Sequence, residues 1–142
     1  MVQQDIAPAE QVKQMAKRMG INTDIRAVDA IALGTSEVYP IEIVSAYSAL
    51  SNKGVYSKPF AITKIEDRYG NVVKEYFPDR KEVLSEETAY LMTSLMQTVM
   101  DRGTGGSARW KYKFNRPAAG KTGTTQGWSD AWFVGFTPQI AA

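Results

Sequence analysis

The feature that most constrains the fold is a polar, glycine-bearing stretch that is followed closely by an aromatic one. Residues 118–125 read AAGKTGTT, and residues 131–136 read AWFVGF. The intervening residues 126–130, QGWSD, are rich in turn formers. This pattern predicts a β-hairpin with a polar first strand and a buried second strand. Because small side chains, hydroxyls and a cation pack poorly, such a strand suits a site where an extended anionic ligand lies along it.

Three interpretations of residues 118–125 compete. A phosphate loop requires G-x-x-x-x-G-K-[ST], and Gly120, Lys121 and Thr122 supply its end, but Asn115 stands at the first glycine position and Pro117 lies inside. The second interpretation is a threonine-rich edge hairpin with a solvated lysine. The third is the Lys-Thr-Gly strand of the serine acyltransferases that β-lactams acylate, where it accompanies S-x-x-K and S-D-N motifs.

The rest of the chain predicts helices and short strands around this hairpin. Apolar residues at helical spacing predict three helices, at residues 9–19, 40–52 and 86–100. Alternating residues predict strands at 60–66 and 72–77, joined by a turn at 67–71. Ser85 is the expected N-cap of the third helix, whose apolar face with Tyr90 is expected in the core. The expected fold is α+β, with an antiparallel sheet and packed helices in one domain over residues 1–142.

Composition excludes several kinds of chemistry. The 142 residues contain no cysteine and no histidine, so no Ser-His or Cys-His mechanism and no thiolate zinc site can be built from them. Proton transfer near neutral pH must use lysine, carboxylate or tyrosine. The net charge of +2 gives no reason to expect nucleic acid as a partner. No metal or cofactor is expected, and no apolar run has the length of a membrane span.

A basic segment precedes the hairpin. Between residues 102 and 121 every charged side chain is a cation: Arg102, Arg109, Lys111, Lys113, Arg116 and Lys121. The segment favours either an anionic ligand or a solvated basic loop. Residues 103–107, GTGGS, predict a helix stop and a loop; they fail as a dinucleotide fingerprint because Ala108 occupies the third glycine position.

Ordered landmarks give the chain a family resemblance. They are residues 118–125 (AAGKTGTT), 129–138 (SDAWFVGFTP), 32–34 (ALG), 37–38 (EV), 45–47 (SAY), 52–56 (NKGVY), Val99 and 103–105 (GTG). Taken along the chain from about residue 32 to residue 138, they follow the order found in, and resemble, the C-terminal part of the transpeptidase domain of a penicillin-binding protein, most closely of the bifunctional class A type. A lone K-T-G would be a weak signal, whereas the ordered series favours the third interpretation over the other two.

The resemblance implies roles for individual residues. Lys121 would lie near the reacting groups, where its charge helps to hold the substrate carboxylate and to tune proton transfer. The hydroxyls of Thr122 and Thr124 would bind that carboxylate, and the Thr124 backbone N–H would be an oxyanion donor. Gly123 would leave room for the substrate, and Thr125 belongs to the same substrate-binding stretch. Stem peptides of peptidoglycan and β-lactams are the implied ligands, and the extracytoplasmic face of the bacterial membrane is the implied location of the parent protein.

The nucleophile of that family is missing from the sequence. No serine is followed by lysine three residues later, and no S-x-N is present. The resemblance therefore implies an incomplete penicillin-binding fold, which starts after the second motif and stops before its sheet is complete. We expect the upstream part of the domain to be its partner, and an uncovered edge and apolar face to promote self-association of the isolated chain. The alternative is a non-catalytic domain of the same fold that binds peptidoglycan or a partner protein.

Overall fold

The computed structural model describes residues 8–124 and 131–142 as helices packed with antiparallel strand pairs. The helices are α1 (Ala9–Arg18), a 3-10 helix (Asp29–Leu33), α2 (Pro40–Ser51), α3 (Glu86–Asp101) and the short α4 (Ser107–Trp110). The strands are β1 (Val55–Ser57), β2 (Lys64–Glu66), β3 (Val72–Glu75), β4 (Arg80–Glu82), β5 (Ala119–Thr124) and β6 (Ala131–Phe136). They form the antiparallel pairs β1–β4, β2–β3 and β5–β6. The expected α+β class is confirmed.

Local signals explain where the helices begin and end. Pro40 is the first residue of α2, a position where its missing N–H has no helical partner to lose. Ser85 is the N-cap of α3, and its Oγ accepts the Thr88 backbone N–H at 3.2 Å. Gly20 follows α1 with a φ of +97°, which is the left-handed conformation that glycine tolerates at this position. A Cβ on Gly20 would also collide with the Tyr56 ring.

The core lies where α2 and α3 meet the β5–β6 hairpin. One buried cluster joins Leu50 of α2, Met96 of α3, Ala119 of β5 and Phe136 of β6. A second cluster joins Ile21 and Ile25 to Ala46, which lies about one turn before Leu50 in α2, and the half-buried Met19 packs against both clusters. Helix α2 thus contributes to both clusters, and the first cluster holds the hairpin at the end where β5 begins and β6 finishes.

Two predictions about burial are wrong. Strand β6 is buried at Gly135 and Phe136, whereas Trp132 and Phe133 at its other end are 57% and 45% exposed. On α3, Met96 and Met100 are buried, but Tyr90 is 72% exposed. The exposed apolar residues of α3 also include Leu91, Met92 and Leu95. The pattern identifies apolar side chains correctly, but burial needs a covering element, and the described residues cover only one side.

The two strands predicted at residues 60–66 and 72–77 are found at the expected positions, but both are shorter than predicted. Strand β2 occupies only the last three residues of the predicted 60–66, and β3 ends two residues before the predicted 77. The turn between them is confirmed: the Asp67 carboxylate accepts the backbone N–H groups of Tyr69 and Asn71 at 2.8 and 2.9 Å. The β1–β4 pair is absent from the predictions because β4 reads RKE, a polar and fully exposed sequence without alternation.

Candidate functional site

Strand β5 carries the predicted site residues at an exposed edge of the hairpin. Lys121 faces Val134 in the register with β6, and its Nζ donates to the Thr122 carbonyl oxygen at 2.7 Å. Both Lys121 and Thr122 lie inside a continuous strand, whereas a phosphate loop would place them at the entrance of a helix. The geometry therefore disfavours the nucleotide-binding interpretation.

The two glycines of β5 lie in opposite environments. A Cβ on Gly120 would lie 2.5 Å from Cζ of Phe133 and 2.8 Å from the Val134 carbonyl oxygen, so no side chain fits there. A Cβ on Gly123 would meet no atom within 4 Å among the described residues. Gly120 is needed for packing of the hairpin. Gly123 leaves open space above the strand, as expected if a ligand approaches the backbone at this point.

Alternation along β5 separates its polar side chains into two sets. Lys121 and Gly123 face one side of the strand, and Thr122 and Thr124 face the other. The two threonine hydroxyls are thus on a common face, as a shared role in holding a carboxylate requires. Thr124 is exposed and Thr122 is half-buried. The remaining predicted residue, Thr125, lies outside the described residues.

A residue that sequence reasoning missed lies beside this strand. The hydroxyl of Thr104 is 2.6 Å from the hydroxyl of Thr122, although the two are 18 residues apart in sequence. Thr104 belongs to the GTGGS loop, whose Gly105 N–H donates to the Val99 carbonyl oxygen at 3.0 Å and so turns the chain back across the end of α3. A threonine between two glycines after a helix was the available signal, but its partner could be found only from the tertiary structure.

The basic segment contains one structural cation and several exposed ones. Arg109 donates through Nε to the Asp101 carboxylate at 3.0 Å, and its Nη1 donates to the Phe114 carbonyl oxygen at 2.8 Å and to that of Arg116. The positive charge of Arg109 is therefore paired within the protein. The other cations of this segment are exposed, and they are Arg102, Lys111, Lys113, Arg116 and Lys121.

An apolar cleft lies at the opposite end of β5 from Lys121. Its volume is about 240 Å³, and its walls include Leu50, Tyr90, Ala118 and Phe136. The exposed ion pair of Lys53 and Glu86, 2.9 Å apart, closes one side. The cleft is smaller than a typical small-molecule pocket and holds none of the predicted site residues.

Two kinds of feature are absent from residues 8–124 and 131–142. Within these ranges no three side chains of the metal-binding acidic, cysteine or histidine types are grouped closely enough to hold an ion. None of the helices described has both the length and the apolar character that crossing a bilayer demands.

Comparison with known proteins identifies the family. Residues 9–142 match the family described as the penicillin binding protein transpeptidase domain. Penicillin-binding protein 1A of Aquifex aeolicus is 39% identical over 131 residues, which cover 92% of this chain and 18% of that protein. The chain therefore belongs to the penicillin-binding protein transpeptidase family, and its relatives of the 1A kind agree with the class A resemblance. It spans about a fifth of the length of these curated relatives.

Solved structures agree on the fold. Penicillin-binding protein 1A of Haemophilus influenzae superposes with a TM-score of 0.82 at 25% identity, covering 93% of this chain and 25% of that one. The PonA1 protein of Mycobacterium tuberculosis in complex with penicillin V gives a TM-score of 0.72 at 23% identity, covering 94% of this chain and 39% of that one. The chain thus has part of the penicillin-binding transpeptidase fold.

Proposed function

We propose that this chain forms the part of a peptidoglycan D,D-transpeptidase that binds the substrate along β5. The observation that carries the proposal is the exposed Lys121–Gly123 end of that strand, where no described atom fills the space above Gly123. Thr122 and Thr124 lie on the face opposite to Lys121 and Gly123, so a ligand extended along the edge of β5 that no described strand pairs can reach both faces and place a carboxylate on the two hydroxyls. The Thr124 N–H supplies one oxyanion donor, and Lys121 supplies the positive charge.

The reaction requires a nucleophile that this sequence does not contain. A serine oxygen attacks the carbonyl carbon of the D-Ala–D-Ala amide while its proton passes to a base, and the base gives this proton to the leaving nitrogen as the C–N bond breaks and D-alanine departs. The amine of a second stem then attacks the serine ester and forms the new amide, and the proton that this amine loses passes through the base to the serine oxygen as the ester bond breaks. We propose that the S-x-x-K and S-x-N residues come from an upstream segment of the same domain, on the extracytoplasmic side of the membrane. The chain alone is then inactive.

Measuring the intact mass of each polypeptide after incubation with a penicillin tests whether the nucleophile lies in the upstream segment. We expect no adduct on this chain alone, and an adduct on the upstream polypeptide when the two are combined. An adduct on this chain alone would contradict the proposal, because it would make one of its own serines the nucleophile.

The competing function is a non-catalytic domain that binds peptidoglycan or a partner protein through the same strand. The exposed, polar end of β5 suits this function as well. The sequence and the penicillin binding of the upstream polypeptide distinguish the two functions. If that polypeptide contains neither S-x-x-K nor S-x-N and binds no penicillin in the presence of this chain, the non-catalytic function is favoured.

Self-association of the isolated chain remains a prediction. Exposed apolar side chains on α3 and β6, such as Leu95 and Trp132, at 63% and 57% exposure, supply a surface for it. Sedimentation should show dimers or larger species whose proportion rises with concentration, and Leu95→Lys should reduce it. A stable monomer at high concentration would contradict this prediction.

A further inference from the structure

Next to the candidate strand lies a short segment whose aromatic and basic side chains alternate. Residues 110–114, which we call the Trp110 platform, read Trp-Lys-Tyr-Lys-Phe. Trp110 is 69% exposed and Tyr112 is 70% exposed. Lys111 lies with its Nζ 5.2 Å from the centre of the Tyr112 ring. The platform therefore presents flat apolar rings and cations together on the surface.

The platform is held rigidly although its side chains are exposed. The backbone N–H of Phe114 donates to the Ala108 carbonyl oxygen at 2.9 Å, and that of Tyr112 donates to Ser107 at 3.2 Å. Arg109 fastens the far end through the carbonyl oxygens of Phe114 and Arg116. A preordered surface loses less conformational entropy when it binds a ligand, which favours recognition over a purely solvated loop.

One residue of the platform has an unfavourable backbone conformation. Lys113 has a φ of +56°, in the left-handed region that a lysine adopts only at a cost of about 1 kcal/mol or more. The conformation ends α4: the Lys113 N–H donates to the Arg109 carbonyl oxygen at 3.2 Å, and the Phe114 N–H donates to that of Ala108 at 2.9 Å, which is the hydrogen-bond pattern of a helix C-cap. The left-handed residue therefore belongs to the end of α4, and it fixes the direction in which the platform leaves the helix.

A chain of contacts connects the platform to β5. The Thr122 hydroxyl contacts Thr104 at 2.6 Å, and Gly106 follows two residues later. A Cβ on Gly106 would lie 3.8 Å from the indole Nε1 of Trp110, so the edge of the indole lies against this glycine. The GTGGS loop thus lies between the platform and the candidate substrate strand.

The chemistry of the platform matches an amphipathic ligand that carries carboxylates. The pyranose rings of a glycan present apolar C–H faces that stack on aromatic rings, and cations pair with carboxylates. No acidic side chain interrupts residues 102–121, so an anionic ligand meets no repulsion from this segment. A phosphate-rich ligand is less well matched, because Arg109 is already engaged by Asp101 and the platform itself offers lysines without the bidentate fork of arginine.

We propose that the Trp110 platform is a docking site for the glycan part of peptidoglycan, with the attached stem peptide directed toward β5. This inference rests on the proposed function of β5, and it assigns to the platform the sugar-binding part of substrate recognition. Trp110 stacks on a sugar ring, and Lys111 and Lys113 attract the carboxylates of the stem.

The test is an NMR titration of the 142-residue chain with a disaccharide-peptide fragment of peptidoglycan, compared with the same stem peptide without sugars. We expect the indole N–H signal of Trp110 to shift only with the disaccharide-peptide, and that ligand to bind more tightly. Trp110→Ala should lower the affinity for the disaccharide-peptide about fivefold and the affinity for the bare peptide less than twofold. Trp110→Phe should recover most of the loss.

Tyr69 provides a matched control for Trp110. Tyr69 is 73% exposed and has Arg68 over its ring, so Tyr69→Ala removes an equally exposed aromatic beside a cation and should change neither affinity. Equal affinity of the two ligands, or an unchanged affinity in Trp110→Ala, would overturn the inference. Binding of the platform to vesicles rich in phosphatidylglycerol, without a response to the disaccharide-peptide, would overturn it in favour of a membrane surface.

The same spectra separate this inference from the proposed function. Shifts of Lys121 to Thr124 with the bare stem peptide, without any response of Trp110 to the disaccharide, would retain the function of β5 and reject the platform. A Trp110 response without any shift in β5 would reject the stated direction of the stem peptide, and with it the inference in this form.

Discussion

The two halves of β5 differ although they belong to one six-residue strand. At its start, Ala119 and Gly120 are buried, and Gly120 lies against the Phe133 ring and the backbone of β6. At its end, Gly123 and Thr124 are exposed, and nothing described lies above Gly123. Glycine therefore lies against packed atoms in one half and, among the described residues, in open space in the other. A glycine in a strand shows that space is needed, and only the surrounding structure shows whether that space is filled by the protein or left for a ligand.

The largest contrast in stability is expected between the two ends of β6. Phe136→Ala should lower the unfolding free energy by about 3–4 kcal/mol, because this side chain belongs to the core cluster and is 5% exposed. Trp132→Ala should cost about 0.5 kcal/mol, because the side chain is 57% exposed. Urea unfolding followed by circular dichroism measures both. Equal losses of unfolding free energy in the two variants would contradict the distinction between a packed and an open half of the hairpin.

The two glycines of β5 provide the next contrast. Gly120→Ala forces a methyl group against Phe133 and Val134, and it should destabilise the chain by about 2 kcal/mol. Gly123→Ala places the methyl group in open space and should change the unfolding free energy by about 0.5 kcal/mol or less. The same unfolding measurement applies. If Gly123→Ala were the more destabilising variant, the open half would be packed after all.

A smaller effect is expected at the cap of the helix that packs against the closed half of β5. Ser85→Ala removes the oxygen that accepts the Thr88 N–H, and it should cost about 1 kcal/mol of unfolding free energy. Ser85→Asp is the matched control, because aspartate also caps helices and should keep most of the stability. Thermal unfolding of the three proteins distinguishes the loss of the cap from a general effect of substitution.

The smallest expected effect is a pH dependence from Glu42 in the first turn of α2. The Thr23 hydroxyl donates to this carboxylate at 2.6 Å, and together with the backbone N–H groups of Asn22 and Thr23 it holds the pKa of Glu42 below its usual value. A lowered pKa contributes stability above the unfolded pKa of about 4.5, and this contribution is lost as the pH falls through the folded pKa.

Unfolding free energies on either side of that range test the Glu42 contribution. The wild type should lose more stability than Glu42→Gln between about pH 6 and pH 3. Parallel losses in the two proteins would show that other carboxylates account for the acid sensitivity.

Sequence reasoning succeeded where a signal is local. Pro40, Ser85 and the turn at Asp67 each identify an element boundary through the chemistry of one side chain, and the β5–β6 hairpin follows from the sequence pattern of its two strands. The roles of Lys121, Thr122, Gly123 and Thr124 in a site come from the family resemblance and stay predictions.

The failures concern contacts between segments far apart in sequence. The exposure of Tyr90 depends on which elements cover α3, and the periodicity of the helix does not contain that information. The contact between Thr104 and Thr122 depends on how the GTGGS loop folds back from α3. Arg109 was counted with the cations available to a ligand, yet its charge is paired with Asp101, the last residue of α3.

The most direct test of the account is the acylation rate by a penicillin when this chain is combined with the upstream polypeptide that supplies the nucleophile. We predict that Gly123→Ala lowers the rate about tenfold or more, because the methyl group occupies the space of the ligand, while the unfolding free energy stays within about 0.5 kcal/mol of wild type. An unchanged acylation rate in Gly123→Ala would contradict the claim that the open half of β5 is where the ligand lies.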